Sequence, residues 1–416
     1  MVNASSGLHR SDEIRPWRLP LLQRNIPAQT WPGSARPLIW HATSLFNFKG
    51  FAHSVNAQFD PSVCPTPWWL PNGHMQTIWG AAGARFHRVA FIRERVNTPD
   101  GDFVEFDWTA PGLFTDRSTD NRRIDPDPAL AHTAARRWLE PLDRQALGNA
   151  EIPALALFHG LEGSSHSRYA QSIAHYFRAR GWIVVVAHFR GCSGFPNRMA
   201  RAYYSGDTDE VGFILAQLKD KVPKAKWHAA GVSLGGNALV KYLGDYAQST
   251  HWLHACAAIS VPLDLVAAGN ALSQTLAGRH LYSRYFLTSM VAKIREKAQR
   301  FPGMTDTLKL GQLKTIRDFD DLYTAPMHGY KNALDYWSRA SAKPVLKSVS
   351  TPTLVLNARN DPFIPEASLP GTGDCSNQVL LHQPAQGGHV GFITGAFPGN
   401  LNWLPNRMAN YFERLT

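Results

Sequence analysis

The stretch W-H-A-A-G-V-S-L-G-G-N, residues 227–237, joins two local patterns that decide the fold. Its first half is an apolar run that predicts a buried strand, and a helical apolar period continues from about Gly235 to Tyr246. Gly231, Ser233 and Gly235 form a G-x-S-x-G pattern at the junction, where glycines let a strand and a helix approach closely. We therefore predict a strand–turn–helix unit that presents the Ser233 hydroxyl at a helix N-terminus, where the helix dipole favours developing negative charge.

Strand and helix patterns alternate on both sides of this unit. Apolar runs of strand length occupy residues 153–160, 182–189, 226–232, 255–261, 352–361 and 378–383. Alternating patterns at residues 88–98 and 103–108 flank the turn residues P-D-G-D and predict a β-hairpin. Helical periods separate the strands, and another closes the chain near residues 403–415. This order predicts an α/β fold with a mostly parallel, doubly wound sheet and right-handed crossovers.

Three segments depart from this alternation. Residues 1–60 are rich in Pro, Trp, Arg and Ser and lack periodicity, so we predict an irregular N-terminal arm followed by a catalytic domain over residues 61–416. Residues 113–150 contain Asp-Pro, Asn and Arg and predict a surface insertion. The helical pattern of residues 265–345 predicts a cap inserted between the late strands of the sheet.

The charge of the chain is concentrated in that helical block. The 416 residues carry 43 Lys and Arg against 32 Asp and Glu, a net charge of +11. Residues 279–317 of this block supply +7 of it, because only Glu296 and Asp306 oppose nine basic residues there: Arg279, Arg284, Lys293, Arg295, Lys297, Arg300, Lys309, Lys314 and Arg317. No nucleic-acid-binding module accompanies them, so we expect no nucleic-acid partner. They indicate either a solvated helical face or a cap that contacts an anionic membrane surface or acidic substrates.

Composition and cysteine spacing narrow the class of protein. Apolar residues make up 44% of the chain and charged residues 18%, as in globular proteins. Cys64, Cys192, Cys256 and Cys375 lie far apart, which argues against a disulfide scaffold or a structural zinc site and favours a reducing compartment. No apolar run approaches the roughly 18–20 residues of a membrane span, and the N-terminus is charged where a signal peptide would be apolar. We expect a soluble, cytoplasmic protein with no cofactor and no metal.

A serine nucleophile needs a base and an orienting acid. Asp361 directly follows a predicted buried strand, where a strand-end loop would display it at the edge of the sheet that carries the serine. His389 follows the last predicted strand, in a loop where Gly387 and Gly388 allow the imidazole to reach across to the serine. We therefore predict Ser233, Asp361 and His389 as the catalytic residues. Asp264, which ends V-P-L-D after the preceding strand, is the alternative acid.

The loop H-G-L-E-G, residues 159–163, follows the first buried strand. In this architecture the loop at that position donates one backbone N–H to an oxyanion hole, and the residue after the nucleophile donates the other. We therefore predict the N–H groups of Leu161 and Leu234 as the two donors. For His159 we predict a structural role, in which its side chain holds the loop by a hydrogen bond. The spacing of Glu162 gives no support to a role as an acid catalyst.

Several segments are similar to those of one enzyme family. They are P-W-W-L-P-N-G-H-M-Q-T (67–77), F-H-G-L-E-G-S (158–164), H-F-R-G-C-S-G (188–194), Y-S-G-D-T-D (204–209), G-V-S-L-G-G-N (231–237) and F-D-D-L-Y-T-A-P (319–326). On these motifs, which with the Asp361 and His389 loops span about residues 65–395, the sequence resembles the α/β-hydrolases. Within them it resembles the YheT-like branch, catalogued as type four of the AB hydrolase superfamily. The resemblance implies the α/β-hydrolase fold, a Ser233–Asp361–His389 triad and hydrolysis of short- or medium-chain acyl esters.

Together these patterns predict a serine carboxylesterase that forms an acyl-enzyme on Ser233 and takes a small-molecule acyl ester or a lipid. Acyl transfer to an alcohol is the alternative on the same fold. A peptidase of the iminopeptidase kind and a non-catalytic binding protein are further alternatives. The family segments also contain polar residues for which we predict a buried network that braces the site: Asn72, His74, Arg190, Asp207, Asp209 and Asp320.

Overall fold

The apolar runs of the sequence pair into one large sheet. In the computed structural model, which describes residues 58–113 and 127–415, the strands are β1 (Gln58–Asp60), β2 (Phe91–Asn97), β3 (Phe103–Thr109), β4 (Ala135–Trp138), β5 (Ala154–Phe158), β6 (Ile183–His188), β7 (Trp227–Val232), β8 (Ala255–Ile259), β9 (Thr353–Leu356) and β10 (Val379–His382). Their order across the sheet is β1-β10-β9-β8-β7-β5-β6-β3-β2-β4. Strand β3 runs antiparallel to β2 and β6, and the other neighbouring pairs are parallel. The parallel strands therefore end at one edge, where α/β sheets carry their sites.

Helices connect these strands and flank the sheet. They are α1 (Gly73–Ala82), α2 (Pro141–Gly148), α3 (Arg168–Ala179), α4 (Thr208–Lys221), α5 (Leu234–Asp245), α6 (Leu265–Gln274), α7 (Ser283–Arg300), α8 (Thr307–Leu310), α9 (Ile316–Phe319), α10 (Ala325–Met327), α11 (Ala333–Ala340) and α12 (Trp403–Glu413). Two π-helical segments, Gly278–Tyr282 and Asp320–Thr324, immediately precede α7 and α10.

The core has two layers because successive side chains of a strand point to opposite faces of the sheet. In β5, Leu155 and Leu157 pack with the buried side chains of α3 and α12, whereas Ala156 and Phe158 pack with those of α4 and α5. All four residues are fully buried. Apolar side chains are therefore needed on both faces, which explains why the sequence of this strand is a continuous apolar run.

The cap consists of helices α6–α11, which lie in the chain between β8 and β9. It has an apolar cluster of its own, formed by Leu287, Met290, Ile294, Leu310, Ile316, Phe319 and Tyr323. Leu161, from the loop that follows β5, packs against this cluster. The cap is thereby joined to the sheet next to the predicted oxyanion loop.

The structure confirms the predicted mostly parallel sheet, the β2–β3 hairpin and the helical block between β8 and β9. The prediction of a surface insertion over residues 113–150 is wrong at Ala135–Trp138, which form β4 and extend the sheet beside β2. Residues 114–126 of that segment lie outside the described residues. The four residues of β4 are too few to give a clear alternating pattern in the sequence.

The predicted arm of residues 1–60 falls mostly outside the described part of the chain, which begins at Gln58. Its last three residues, Gln58–Asp60, form β1 and pair in parallel with β10. The irregular arm and its boundary with a catalytic domain at residue 60 stay predictions.

Candidate active site

Ser233 lies at the bend between β7 and α5, as the G-x-S-x-G pattern predicts. Its backbone has φ 53° and ψ −120°, a strained conformation for a residue that carries a side chain. A Cβ on Gly231 would lie 2.5 Å from the Gly235 carbonyl oxygen, and one on Gly235 would lie 2.4 Å from the His159 carbonyl oxygen. Only glycines leave room at these two positions. The strand and the helix can therefore meet closely enough to hold the serine in its bend.

The structure brings the three predicted catalytic residues into one hydrogen-bonded chain. Ser233 Oγ lies 2.9 Å from His389 Nε2, and His389 Nδ1 lies 2.8 Å from Asp361 Oδ2. With its Nδ1–H donated to the carboxylate, the imidazole presents the lone pair of Nε2 to the serine hydroxyl. Asp361 Oδ1 accepts the Phe363 N–H at 2.8 Å, and the Phe363 ring stacks on His389 with centroids 4.2 Å apart. These contacts fix the orientation of both partners.

Asp264, the alternative acid, has a different partner. It is the N-cap of α6, and its Oδ1 accepts the Ala267 N–H at 3.0 Å. Aspartate is a preferred residue at this position because it satisfies an N–H that the helix leaves without a partner. The residue hydrogen-bonded to the His389 imidazole is thus Asp361, as the strand-end position predicts.

The loop that carries His389 is held by α1, which lies more than 300 residues earlier in the chain. Thr77 Oγ1 accepts the His389 N–H at 2.8 Å, and Gln76 Oε1 accepts the Gly387 N–H at 2.9 Å. Gln76 is fully buried. This role of Gln76 and Thr77 was not predicted, although both lie in the N-G-H-M-Q-T motif, which singles them out in the sequence.

Asn360 connects this support to the acid. It directly precedes Asp361; its Oδ1 accepts the Gly388 N–H at 3.0 Å, and its Nδ2 donates to Gln76 Oε1 at 2.9 Å. A Cβ on Gly73, at the start of α1, would lie 1.8 Å from the Asn360 carbonyl oxygen. The helix, the acid loop and the histidine loop are therefore packed backbone to backbone, and glycine is required where they touch.

The oxyanion loop, residues 159–163, lies directly against the serine. A Cβ on Gly160 would be 3.1 Å from Ser233 Cβ. Leu161 and Leu234, the two predicted donors, line the same cavity as Ser233. The structure thus brings both to the serine, from the loop after β5 and from the first turn of α5.

His159 holds this loop, as predicted. It is buried, its Nδ1–H donates to the Gly160 carbonyl at 2.8 Å, and its Nε2 accepts the Phe189 N–H at 3.1 Å. Burial, with a smaller contribution from His188, lowers the pKa of His159 to about 3. The imidazole is therefore neutral, and both of its nitrogens are occupied by backbone groups.

Ser233 and His389 open into a cavity of about 340 Å³ between the sheet and the cap. Its lining is mostly apolar and includes Leu161, Leu272, Met290, Ile294, Phe319, Tyr323, Trp337 and Phe363. Such a lining suits an acyl chain or another apolar group. Asp320 is a polar exception: its carboxylate accepts the Trp337 Nε1–H at 2.8 Å, and burial raises its pKa to about 6.

The other polar residues of the family segments have identifiable partners. Arg190 is buried and pairs with the carboxylates of Glu210, Asp100 and Asp102 at 2.5, 2.6 and 3.2 Å. Asp207, also buried, pairs with Arg201 at 2.5 Å and caps α4. These two residues confirm the predicted buried network.

Three residues complete the comparison with that prediction. His74 Nδ1 lies 2.9 Å from the Tyr282 hydroxyl of the cap, and Asn72 caps α1 by accepting the Met75 N–H at 3.0 Å. Both residues are exposed, so their predicted place in a buried network is wrong. Asp209 is exposed on α4, so its predicted place in a buried network is wrong. As the second residue after the N-cap Asp207, it instead carries negative charge in the first turn of the helix, where the dipole favours it.

The basic residues of the cap are divided between solvent and cavity. Six of the nine are exposed: Arg279, Arg284, Arg295, Arg300, Lys309 and Lys314. Lys293 and Lys297 are only partly exposed and line the cavity. They are four residues apart on α7 and share a helical face with Met290 and Ile294, which pack in the cap cluster. The solvated-face interpretation therefore holds for most of the run and fails for these two lysines.

The four cysteines are buried free thiols. Among residues 58–113 and 127–415, no group of three or more His, Cys, Asp and Glu side chains is arranged to hold a metal ion. In the same residues, no helix combines the length and the apolarity that crossing a bilayer requires.

Comparison with known proteins agrees with this geometry. A family model described as the alpha/beta hydrolase fold matches residues 153–396. The Escherichia coli K12 protein named "Putative esterase YheT" is 34% identical over 82% of this chain and 90% of its own length. Two Saccharomyces cerevisiae proteins are also similar. "Monoacylglycerol lipase" is 28% identical over 78% of this chain and 75% of its own, and "Medium-chain fatty acid ethyl ester synthase/esterase 2" is 27% identical over 83% and 84%. This chain belongs to the α/β-hydrolase fold family and, within it, to the branch that includes YheT.

Proposed function

We propose that this chain is a serine carboxylic-ester hydrolase that acts on short- or medium-chain acyl esters, lipid esters among them. The observation that carries the proposal is the hydrogen-bonded chain of Ser233, His389 and Asp361 at the wall of a largely apolar cavity. A serine hydroxyl alone is a weak nucleophile near neutral pH, and a hydrogen-bonded imidazole activates it by accepting its proton. The relatives named as an esterase and as a monoacylglycerol lipase support the same reaction class.

The reaction would proceed through an acyl-enzyme. Ser233 Oγ attacks the ester carbonyl carbon while His389 Nε2 takes the hydroxyl proton, and Asp361 stabilises the imidazolium that forms. The N–H groups of Leu161 and Leu234 stabilise the tetrahedral oxyanion. Collapse of this intermediate breaks the bond to the alcohol, which leaves with the proton from His389. Water then attacks the acyl-enzyme while His389 takes its proton; the bond between the acyl carbon and Ser233 Oγ breaks, His389 returns the proton to Oγ, and the acid is released.

An active-site-directed probe and an ester series test this proposal. A fluorophosphonate probe is expected to label the chain at Ser233, as peptide mass spectrometry would show, because the hydrogen bond to His389 activates that hydroxyl. p-Nitrophenyl esters of increasing acyl length are expected to turn over faster until the chain fills the cavity. Labelling at another serine, or no turnover of any ester, would contradict the proposal. Turnover of proline-naphthylamide instead of esters would favour the peptidase alternative.

Acyl transfer to an alcohol is the second candidate, favoured by the yeast relative named as an ethyl ester synthase/esterase. Both reactions share the acyl-enzyme and differ in whether water or an alcohol attacks it. Product analysis in water–ethanol mixtures separates them. A hydrolase gives acid in proportion to the excess of water, whereas a transferase continues to give ethyl ester when ethanol is scarce.

The cap also supports a proposal about location during catalysis, namely peripheral contact with an anionic membrane surface. Arg279 and Arg284 are exposed near three exposed apolar side chains. These are Leu276, Leu281 and Tyr285, with 80%, 46% and 72% of their surface exposed. Basic and apolar side chains that alternate in one exposed segment suit a charged lipid interface.

Vesicle binding tests this contact. The protein is expected to sediment with vesicles that contain phosphatidylserine, and to be released by salt because ions screen the attraction. Replacing Arg279, Arg284 and Arg295 with Gln should weaken binding on the order of 100-fold, since each basic residue contributes about 1 kcal/mol near such a surface. The matched control replaces Arg88, Arg136 and Lys226, which are exposed elsewhere, with Gln. Equal binding to pure phosphatidylcholine vesicles would contradict the electrostatic contact.

A further inference from the structure

The oxyanion loop contains a residue whose backbone conformation needs support. The Gly163 N–H donates to the Gly160 carbonyl at 2.9 Å, so residues 160–163 form a β-turn. Glu162, the third residue of this turn, has φ 56°. A positive φ at that position is the requirement of a type II turn and is usually met by glycine or asparagine. A glutamate held there is strained unless its surroundings maintain the conformation.

Tyr203 supplies part of that support. Its hydroxyl accepts the Glu162 backbone N–H at 2.9 Å and donates to Glu162 Oε1 at 3.0 Å. The Tyr203 ring is in turn held by Phe189, on which it stacks with centroids 5.6 Å apart and planes 8° apart. One side chain therefore binds both the backbone and the carboxylate of Glu162, and it is itself fixed by packing.

Lys293, a residue of the cap, supplies the other support for the conformation of Glu162. Its Nζ lies 2.9 Å from Glu162 Oε2, and this is the one ion pair between α6–α11 and the core among the ion pairs of the described residues. Lys293 also contacts Cys192 Sγ at 3.8 Å. Burial raises the pKa of the Cys192 thiol to about 12, so the thiol is neutral near pH 7. Glu162 is therefore the group that balances the lysine charge.

The consequence for catalysis lies in the neighbouring residue. Leu161, one of the two proposed oxyanion donors, directly precedes Glu162 and occupies the second position of the same turn. If Glu162 left its left-handed conformation, the peptide between the two residues would rotate, and the 160–163 turn that fixes the direction of the Leu161 N–H would lose its geometry. The side chain of Leu161 packs against the apolar cluster of the cap. The cap thus contacts the donor residue directly and its neighbour through an ion pair.

We propose that Glu162 is a positioning residue, held by Lys293 and Tyr203, that keeps the Leu161 N–H aimed at the oxyanion. The proposal rests on the proposed ester-hydrolase function of this site. The position of the cap then affects transition-state stabilisation, because the cap supplies Lys293. Substrate binding in the ground state depends mainly on the apolar side chains of the cavity and is expected to change little.

Substitution of Lys293 tests the role. Lys293→Met removes the cation, and kcat is expected to fall about 10- to 100-fold, less than the 10²- to 10³-fold lost when an oxyanion donor is removed outright. KM should stay within about threefold. Lys293→Arg, which can still pair with Glu162, should restore most of kcat. Lys226→Met, the same change at an exposed lysine outside the cap, should leave kcat unchanged.

Two readouts separate positioning from general stability. The affinity for a trifluoromethyl ketone, which forms a tetrahedral adduct on the serine, should fall in parallel with kcat/KM, while the thermal midpoint stays near that of the wild type. Glu162→Gln should behave like Lys293→Met. The double variant should lose no more activity than either single one, because both remove the same interaction.

The results that would overturn the positioning role of Glu162 differ from those that would overturn the proposed ester-hydrolase function. Ser233-dependent turnover with an unchanged kcat in Lys293→Met and Glu162→Gln overturns the positioning role alone. Additive losses in the double variant, or a loss confined to KM or to the thermal midpoint, overturn it as well. Absence of Ser233-dependent turnover in the wild type overturns both proposals.

Discussion

Replacing Ser233 with alanine is expected to lower kcat/KM for p-nitrophenyl esters by about 10³- to 10⁶-fold. The change removes the only oxygen that contacts His389 Nε2 in the described residues, at 2.9 Å, while the helix that follows keeps its packing. Residual catalysis would come from substrate binding and the oxyanion donors alone. Steady-state kinetics with purified protein, together with labelling by the fluorophosphonate probe, measures the effect.

The control for this variant is an alanine at an exposed serine away from the cavity. Ser249, which lies between α5 and β8, meets that description. Ser249→Ala should retain wild-type turnover and labelling. Equal activity of Ser233→Ala and the wild type would refute the assignment of the nucleophile, provided that circular dichroism shows both to be folded.

Replacing Asp361 with asparagine is expected to lower kcat by about 10⁴-fold with little change in folding. The amide has nearly the same shape as the carboxylate, but it carries no charge to stabilise the imidazolium. It can also donate to Nδ1 and so favour the tautomer whose Nε2 carries the proton, which cannot accept one from Ser233. The rate of ester hydrolysis as a function of pH and the thermal midpoint together measure the effect.

Asp264 provides an isosteric control that also settles the alternative acid. Asp264→Asn keeps an oxygen that can accept the Ala267 N–H, and asparagine is as good an N-cap as aspartate. Activity and stability should therefore stay near those of the wild type. If Asp264→Asn were inactive and Asp361→Asn active, the acid of this site would have to be reassigned to the residue after β8.

The strands and the serine bend could be predicted because their physical requirements are local. A strand covered on both faces must be apolar throughout, as β5 and β6 are, and this leaves a clear mark in the sequence. The close approach at Gly231 and Gly235 requires glycine, which marks the bend. The order of Asp361 and His389 after late strands then follows from where parallel strands end.

The buried polar face of α1 and the role of Lys293 could not be predicted, because the groups that these residues bind lie far away in the chain. Helix α1 buries Gln76 and Thr77 and exposes Met75 and Ile78, the reverse of what apolar patterning assumes. Its polar face is buried because backbone groups of the histidine loop bind there. The N-G-H-M-Q-T motif marks these residues, but nothing within ten residues of α1 indicates which loop they bind. Lys293 could likewise not be distinguished from the other basic residues of its segment, since its partner Glu162 precedes it by more than 100 residues.

Because α1 supports the histidine loop, it determines how short a fragment of this enzyme can be and still be active. The family match, residues 153–396, contains Ser233, Asp361 and His389 but not α1. A fragment cut to those limits would keep every reacting group and lose the acceptors for the Gly387 and His389 N–H groups. Without these acceptors, the Gly387 and His389 N–H groups would bind water, and the loop would no longer have one fixed conformation. The imidazole would then rarely lie within hydrogen-bond distance of Ser233. The segment that holds the reacting groups is therefore shorter than the segment needed for activity, and we expect a truncated chain to need residues 73–82 to remain active.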